Sequence, residues 1–162
     1  MGVITLDDRI QAVLDKDSKR IVGRFMKEVD LFGGIKEVCR RFDIHAAQFQ
    51  CIGSLTHATY VQLEKTNDGV LQYSQKIVSD TEVELLSGTG FVGYDLEGEL
   101  DVHFHGMFVD CNQHISGGHF LDGENPVAIT IEFILFPLTD IELRRGPDKL
   151  MKLPVFQFSN KE

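Results

Sequence analysis

ELDVHFHGMFVDCNQHISGGHFL, residues 99–121, alternates apolar and polar side chains on both sides of a turn, and that alternation decides the fold class. In a strand, residues two apart point the same way. Val102, Phe104 and Phe108 therefore share one face, and Asp101, His103, His105 and Met107 share the other. A core takes the phenylalanine face, which leaves the histidines on the side away from it. Ile115 to Leu121 alternates again, so the chain must turn back after Val109. If Asp110 pairs with His114 around a three-residue loop, Cys111 to Gln113, His119 lies directly opposite His105 with Cβ atoms about 5 Å apart. A four-residue loop would turn His119 to the Phe104 face, unless Gly117-Gly118 forms a bulge that restores the parity.

The same period extends outward. Ile21 to Met26, Ala47 to Ile52, Ala58 to Leu63, Val70 to Val78, Glu82 to Phe91 and Val127 to Phe136 read as strands. Asn67-Asp68-Gly69 is a turn signal that joins Ala58–Leu63 and Val70–Val78 as a hairpin. Between Asp30 and Phe42 the spacing becomes helical, with Leu31, Ile35, Val38 and Phe42 on one stripe and Asp30 as N-cap. Strands around a single helix, without regular βα alternation, predict an α+β fold: a mostly antiparallel sheet of about seven strands with one principal helix. The stretch from Leu143 to Glu162 carries Pro147 and Pro154 and reads as an irregular surface tail.

Val127 to Phe136 is apolar on both faces, with Val127, Ile129, Ile131, Phe133 and Leu135 on one and Ala128, Ile134 and Phe136 on the other. A two-sided strand must be covered twice. In a chain this small the second cover can come from another subunit, which predicts a homo-oligomer. Glu132 lies amid the second face and would need a cation or a histidine as partner if buried.

A chain of 162 residues with 43% hydrophobic residues is the size of one domain, so 1–162 is expected to form a single unit with its core at 21–144 and a tail at 145–162. The longest apolar run, Ile129 to Pro137, is too short to span a bilayer, and residues 1–8 carry no leader pattern; a cytoplasmic protein that avoids membranes is expected. Three cysteines without a Cys-x-x-Cys pair fit reduced thiols, with Cys39 and Cys51 as small core residues. The net charge of -9 repels polyanions, and Lys19-Arg20, Arg40-Arg41 and Arg144-Arg145 read as solvated faces rather than as a nucleic-acid patch.

Three neutral imidazoles with an open fourth position suit zinc better than calcium or magnesium, which prefer oxygen ligands. The candidate ligands are thus His103, His105 and His119. Asp101, Glu84 and Glu132 are the candidate carboxylates to hold their other ring nitrogens. A hydrogen-bonded histidine cluster without metal is the alternative. His114 belongs to the turn, and His45 and His57 lie elsewhere. Gly88-Thr89-Gly90-Phe91-Val92-Gly93 matches the dinucleotide fingerprint in letters, but no helix opens within it. Gly53-Ser54-Leu55 lacks the second glycine of a nucleophile elbow, and a cupin-like site lacks its glutamate after His105.

Cys51-Ile52-Gly53-Ser54-Leu55, Glu84 to Gly90, His103-Phe104-His105 and Gly117-Gly118-His119-Phe120, in that order over roughly Ile21 to Arg144, resemble the plant-and-prokaryote conserved (PPC) domain in its stand-alone prokaryotic form. The resemblance implies an α+β fold, a homotrimer and a zinc-holding cluster at His103, His105 and His119 near a subunit boundary. It also implies a DNA-binding role, which in plants comes from an attached AT-hook that enters the minor groove. Arg144-Arg145-Gly146-Pro147 lacks the arginine after the glycine of that hook. Three functions follow as expectations: a trimeric metal-binding module with a regulatory or small-ligand role, a DNA-binding or transcription-associated protein, and a metal-dependent enzyme in which Glu84 or Glu132 would act as acid or base.

Overall fold

The computed structural model of the chain describes residues 4–7, 9–148 and 153–161. Fourteen strands and one helix follow in the order β1 (Ile4–Asp7), β2 (Ile10–Asp15), β3 (Arg20–Met26), α1 (Leu31–Arg41), β4 (Ala47–Leu55), β5 (Thr59–Val61), β6 (Leu63–Lys65), β7 (Leu71–Tyr73), β8 (Ile77–Val78), β9 (Val83–Tyr94), β10 (Leu100–Asp110), β11 (Ile115–Phe120), β12 (Val127–Pro137), β13 (Ile141–Pro147) and β14 (Pro154–Asn160). Twelve of the strands form one sheet whose main path runs β1-β2-β3-β12-β4-β9-β10-β11-β5-β8, while β6 and β7 pair separately.

These findings overturn the α+β expectation with its sheet of about seven strands. The chain is a mostly antiparallel β protein with one short helix. Part of the difference is division, because each of the two predicted strands around Asn67-Asp68-Gly69 is broken in two: β5 and β6, then β7 and β8. The predicted hairpin does form, with Leu63 opposite Tyr73 and Lys65 opposite Leu71. The rest is addition at the ends, where β1, β2, β13 and β14 extend the sheet. The predicted surface tail is instead half of a hairpin, with Ile141 opposite Asn160 and Pro147 opposite Pro154.

Helix α1 begins where the sequence places it: Asp30 Oδ1 accepts from the Gly33 backbone N at 2.8 Å, satisfying one of the first-turn donors that lack a helical partner. Its buried side, Leu31, Phe32, Ile35, Val38 and Cys39, covers the core face of the sheet. Phe32 meets Phe104 edge-on at 5.7 Å, and Phe104 stacks on Phe49 at 5.4 Å. Burying such an aromatic ring contributes about 1.5–3 kcal/mol, so these rings fix which face of β10 turns inward.

The opposite face of the sheet is largely bare. On β12, Val127, Ile131, Phe133 and Leu135 are buried as expected, but Ile129 is 69% exposed. The β12–β4 register is irregular between Val127 and Ile131, and this break turns Ile129 outward. Glu132 is exposed and stands opposite Arg24, so it is a solvated carboxylate that carries no burial cost. Among the described residues no helix is long and apolar enough to cross a membrane.

Candidate metal centre

The turn between β10 and β11 has the three-residue geometry on which the site depends. Asp110 N donates to His114 O at 3.0 Å, Gln113 takes φ +67°, and the Asp110 carboxylate accepts from the backbone N of Asn112 and His114 at 2.8 Å. With that turn set, Val109 pairs with Ile115 and His105 with His119. Beyond His119, the buried Asn125 side chain donates to Leu121 O at 2.6 Å and accepts from Thr59 N at 2.8 Å, tying the end of β11 to β5.

The ring centroids of His103, His105 and His119 lie 5.0–5.4 Å from one another, and one ligand atom from each falls within 4.8 Å of the others. His103 Nε2 and His105 Nε2 are 3.3 Å apart. Two nitrogens bound tetrahedrally to one zinc ion also stand about 3.3 Å apart, given a bond of about 2.0 Å. His119 Nδ1 is buried without a hydrogen-bond partner. A buried ring nitrogen in that state lacks the partner it needs, and a bound ion would supply one in the tautomer that puts the lone pair there. Burial, followed by the nearby Arg145 and His105, lowers the affinity of His103 for a proton. Burial, followed by repulsion from His103, His105 and Arg145, holds His119 down at about 4. Both rings are therefore neutral near pH 7, the form that ligates a metal.

The proposed carboxylates separate in the fold. Asp101 lies on the histidine face of β10 but accepts from Arg145 Nε at 2.7 Å rather than from an imidazole. Glu84 stands opposite Val109, about 13 Å along the strand from the His105 pair at 3.3 Å per residue. Glu132 belongs to β12, three strands from β10, about 14 Å away at 4.8 Å per strand. His114 is exposed beside Asp110, and His45 hydrogen-bonds Tyr94 on another surface.

Three neighbours of the cluster escaped the sequence reading. Tyr73 places its ring 5.3 Å from His119, Phe156 lies 6.4 Å from His103, and Arg145 stacks 4.3 Å over Phe156. The alternation Val155-Phe156-Gln157-Phe158 was a strand signal, but Pro147 and Pro154 masked it. The fingerprint at Gly88–Gly93 lies within the continuous strand β9, as its rejection requires.

The fold and this cluster together define a class: a β-sheet protein that gathers three imidazoles on the outer face of its sheet. The Plants and Prokaryotes Conserved (PCC) domain matches residues 15–139, and the chain belongs to that family. Among solved structures, it resembles a metal-containing protein from Archaeoglobus fulgidus, with 22% identity and a TM-score of 0.72 over 86% of this chain and 93% of that one. A plant- and prokaryote-conserved protein from Pyrococcus horikoshii has 22% identity and a TM-score of 0.71, covering 91% and 94%. A protein from Ralstonia eutropha named "Putative DNA-binding protein" has 19% identity and a TM-score of 0.73, covering 90% and 94%. At these identities the likeness speaks for the fold alone. Among curated proteins, none matches this chain.

Proposed function

We propose that this protein is a homotrimeric metal-binding module whose His103, His105 and His119 hold zinc and whose role is ligand binding or regulation. The observation that carries the reading is the convergence of one ring nitrogen from each histidine to within 4.8 Å of the others, in a cluster where His119 also keeps a buried Nδ1 without a partner. Three neutral nitrogen donors fit zinc, and such a centre supplies a Lewis acid with a free position for a ligand. The metal-containing relative from Archaeoglobus fulgidus is consistent with it. Catalysis is the weaker reading, because Asp101 is engaged by Arg145 while Glu84 and Glu132 stand on the sheet away from the cluster.

Assembly is supported by the bare sheet face, where Val22, Ile52, Leu86, Met107 and Ile129 are exposed. A patch of that kind ordinarily finds a cover. Direct DNA binding draws support from the name of the Ralstonia relative, but two of the three basic pairs are held by acids: Arg40 and Arg41 by Glu37, Arg144 by Glu142 and Arg145 by Asp101.

Metal analysis of protein purified from zinc-supplemented cells tests the centre. About one zinc per chain in the wild type and a loss of most of it in His119→Ala are expected; metal-free wild type rejects the reading. Light scattering on the same sample tests the trimer, and a monomer mass rejects that part. Absence of a gel shift with duplex DNA even at low salt is expected, since a net charge of -9 opposes the approach of a polyanion.

A further inference from the structure

We propose that the cavity beside the histidines is a binding site for a small organic monocarboxylate, built by the C-terminal hairpin; this rests on the metal-centre reading above. The cavity has a volume of about 490 Å³, within the range of about 300–1,000 Å³ usual for small-molecule sites. His103, His119 and the Asp101–Arg145 pair line one side of it, with Phe156 and Tyr73 beside them. Arg145 and Phe156 come from β13 and β14, beyond the matched family region, which ends at residue 139. The hairpin thus walls one side of the histidine face and makes a pocket of it.

The chemistry of that wall selects the ligand. Arg145 is pinned from three sides: its Nε donates to Asp101 at 2.7 Å, its Nη1 donates to Pro154 O at 3.3 Å, and its guanidinium stacks on Phe156 at 4.3 Å. The charge of a metal held by the imidazoles favours an anion, and the guanidinium N–H groups not given to Asp101 and Pro154 match the geometry of a planar carboxylate. A second negative charge is disfavoured. Asp101 already neutralises the arginine, and the Glu97 carboxylate stands at the exposed mouth. Asp95 also lines the cavity, its Oδ1 accepting from the backbone N of Glu97 and Glu99 at 2.9 and 2.8 Å, and its charge adds to that repulsion. Phe156, Tyr73 and Leu153 offer apolar surface, which suits a hydrocarbon body rather than a second polar group. Phosphate is in large part a dianion near neutral pH and has no hydrocarbon body, whereas an aryl or short alkyl carboxylic acid has both the single charge and the body.

Cobalt(II) in place of zinc supplies a visible absorption that responds to changes at the centre. The cobalt-loaded protein is titrated with phenylacetate, and with acetate, phenylacetamide and inorganic phosphate for comparison. A saturable spectral change with phenylacetate is expected, with at least about tenfold weaker responses to the amide and to phosphate, because a charge-assisted contact is worth about 1.5–3 kcal/mol. Phe156→Ala should weaken phenylacetate about tenfold and acetate by less, because the ring both packs against the hydrocarbon body and helps to hold Arg145. Arg145→Gln should weaken both acids while cobalt still binds. A wild-type protein that takes up no cobalt overturns the metal reading and this proposal together. Cobalt uptake with a spectrum indifferent to phenylacetate up to about 10 mM, a concentration that would expose even millimolar affinity, overturns the carboxylate site alone. Equal responses to phosphate or to the amide do the same.

Discussion

His119 sits where its surroundings resist protonation. Its ring is held neutral down to about pH 4, first by burial and then by its positive neighbours, against an ordinary value of 6.5. The unfolded chain therefore takes up a proton near pH 6.5 that the folded chain refuses until about pH 4. The stability from this neutral ring is complete above about 6.5 and is lost as the pH falls toward about 4. Metal-free protein should melt at progressively lower temperature across that window, and His119→Gln should show a flatter profile; equal profiles would remove His119 as the cause. The cysteines differ as sharply. Burial pushes the Cys39 thiol up to about 12 and also raises Cys51, whereas Cys111 is exposed. A disulfide reagent such as dithionitrobenzoate should react with one thiol in the native protein and all three in denaturant, and a fast second thiol in the native state would contradict the burial.

At the scale of elements, the pairing of β9 with β10 holds the histidines in place from behind. Gly88 lies against the Phe104 ring, and a Cβ built there would come within 2.1 Å of Phe104 Cζ. That ring is wedged against Phe49 and Phe120, so it has little room to retreat. Gly88→Ala should destabilise by about 1–3 kcal/mol in urea unfolding, and a neutral result would mean that the ring moves freely. Hairpin β13–β14 is the element that sequence reading lost. Prolines normally argue against a strand because they donate no ladder hydrogen bond, yet here Pro147 and Pro154 face each other at the hairpin's end. The strand alternation between them and the chain end was real, and the punctuation hid it.

For the whole molecule, the unequal faces of the sheet set the expected assembly. One face lies under α1 and a core of phenylalanines, and the other leaves Ile52 and Met107 exposed. If the second face is covered by partner subunits, Met107→Glu should shift the mass measured by light scattering from trimer to monomer, since a charge buried at the joint without a partner is costly. The folded monomer should keep its circular dichroism. An unchanged trimer would place the contact elsewhere. Charge completes the picture: a net -9 is spread over a surface whose arginine pairs are bound to carboxylates, which makes polyanions poor partners.

The local alternation in residues 99–121 by itself determined the two histidine strands and their inward phenylalanines, and it narrowed the meeting of His105 with His119 to a choice of loop length that the structure makes at Cys111–Gln113. It could do so because strand period and turn length are short-range properties of the backbone. Helix α1 and its Asp30 cap were legible for the same reason. Only the tertiary structure decided that the fold is mostly β, that Asp101 belongs to Arg145 and that Phe156 closes over His103. Those contacts join residues more than forty positions apart in the chain, and no local pattern records which distant strand a polar or proline-flanked segment will choose as its neighbour.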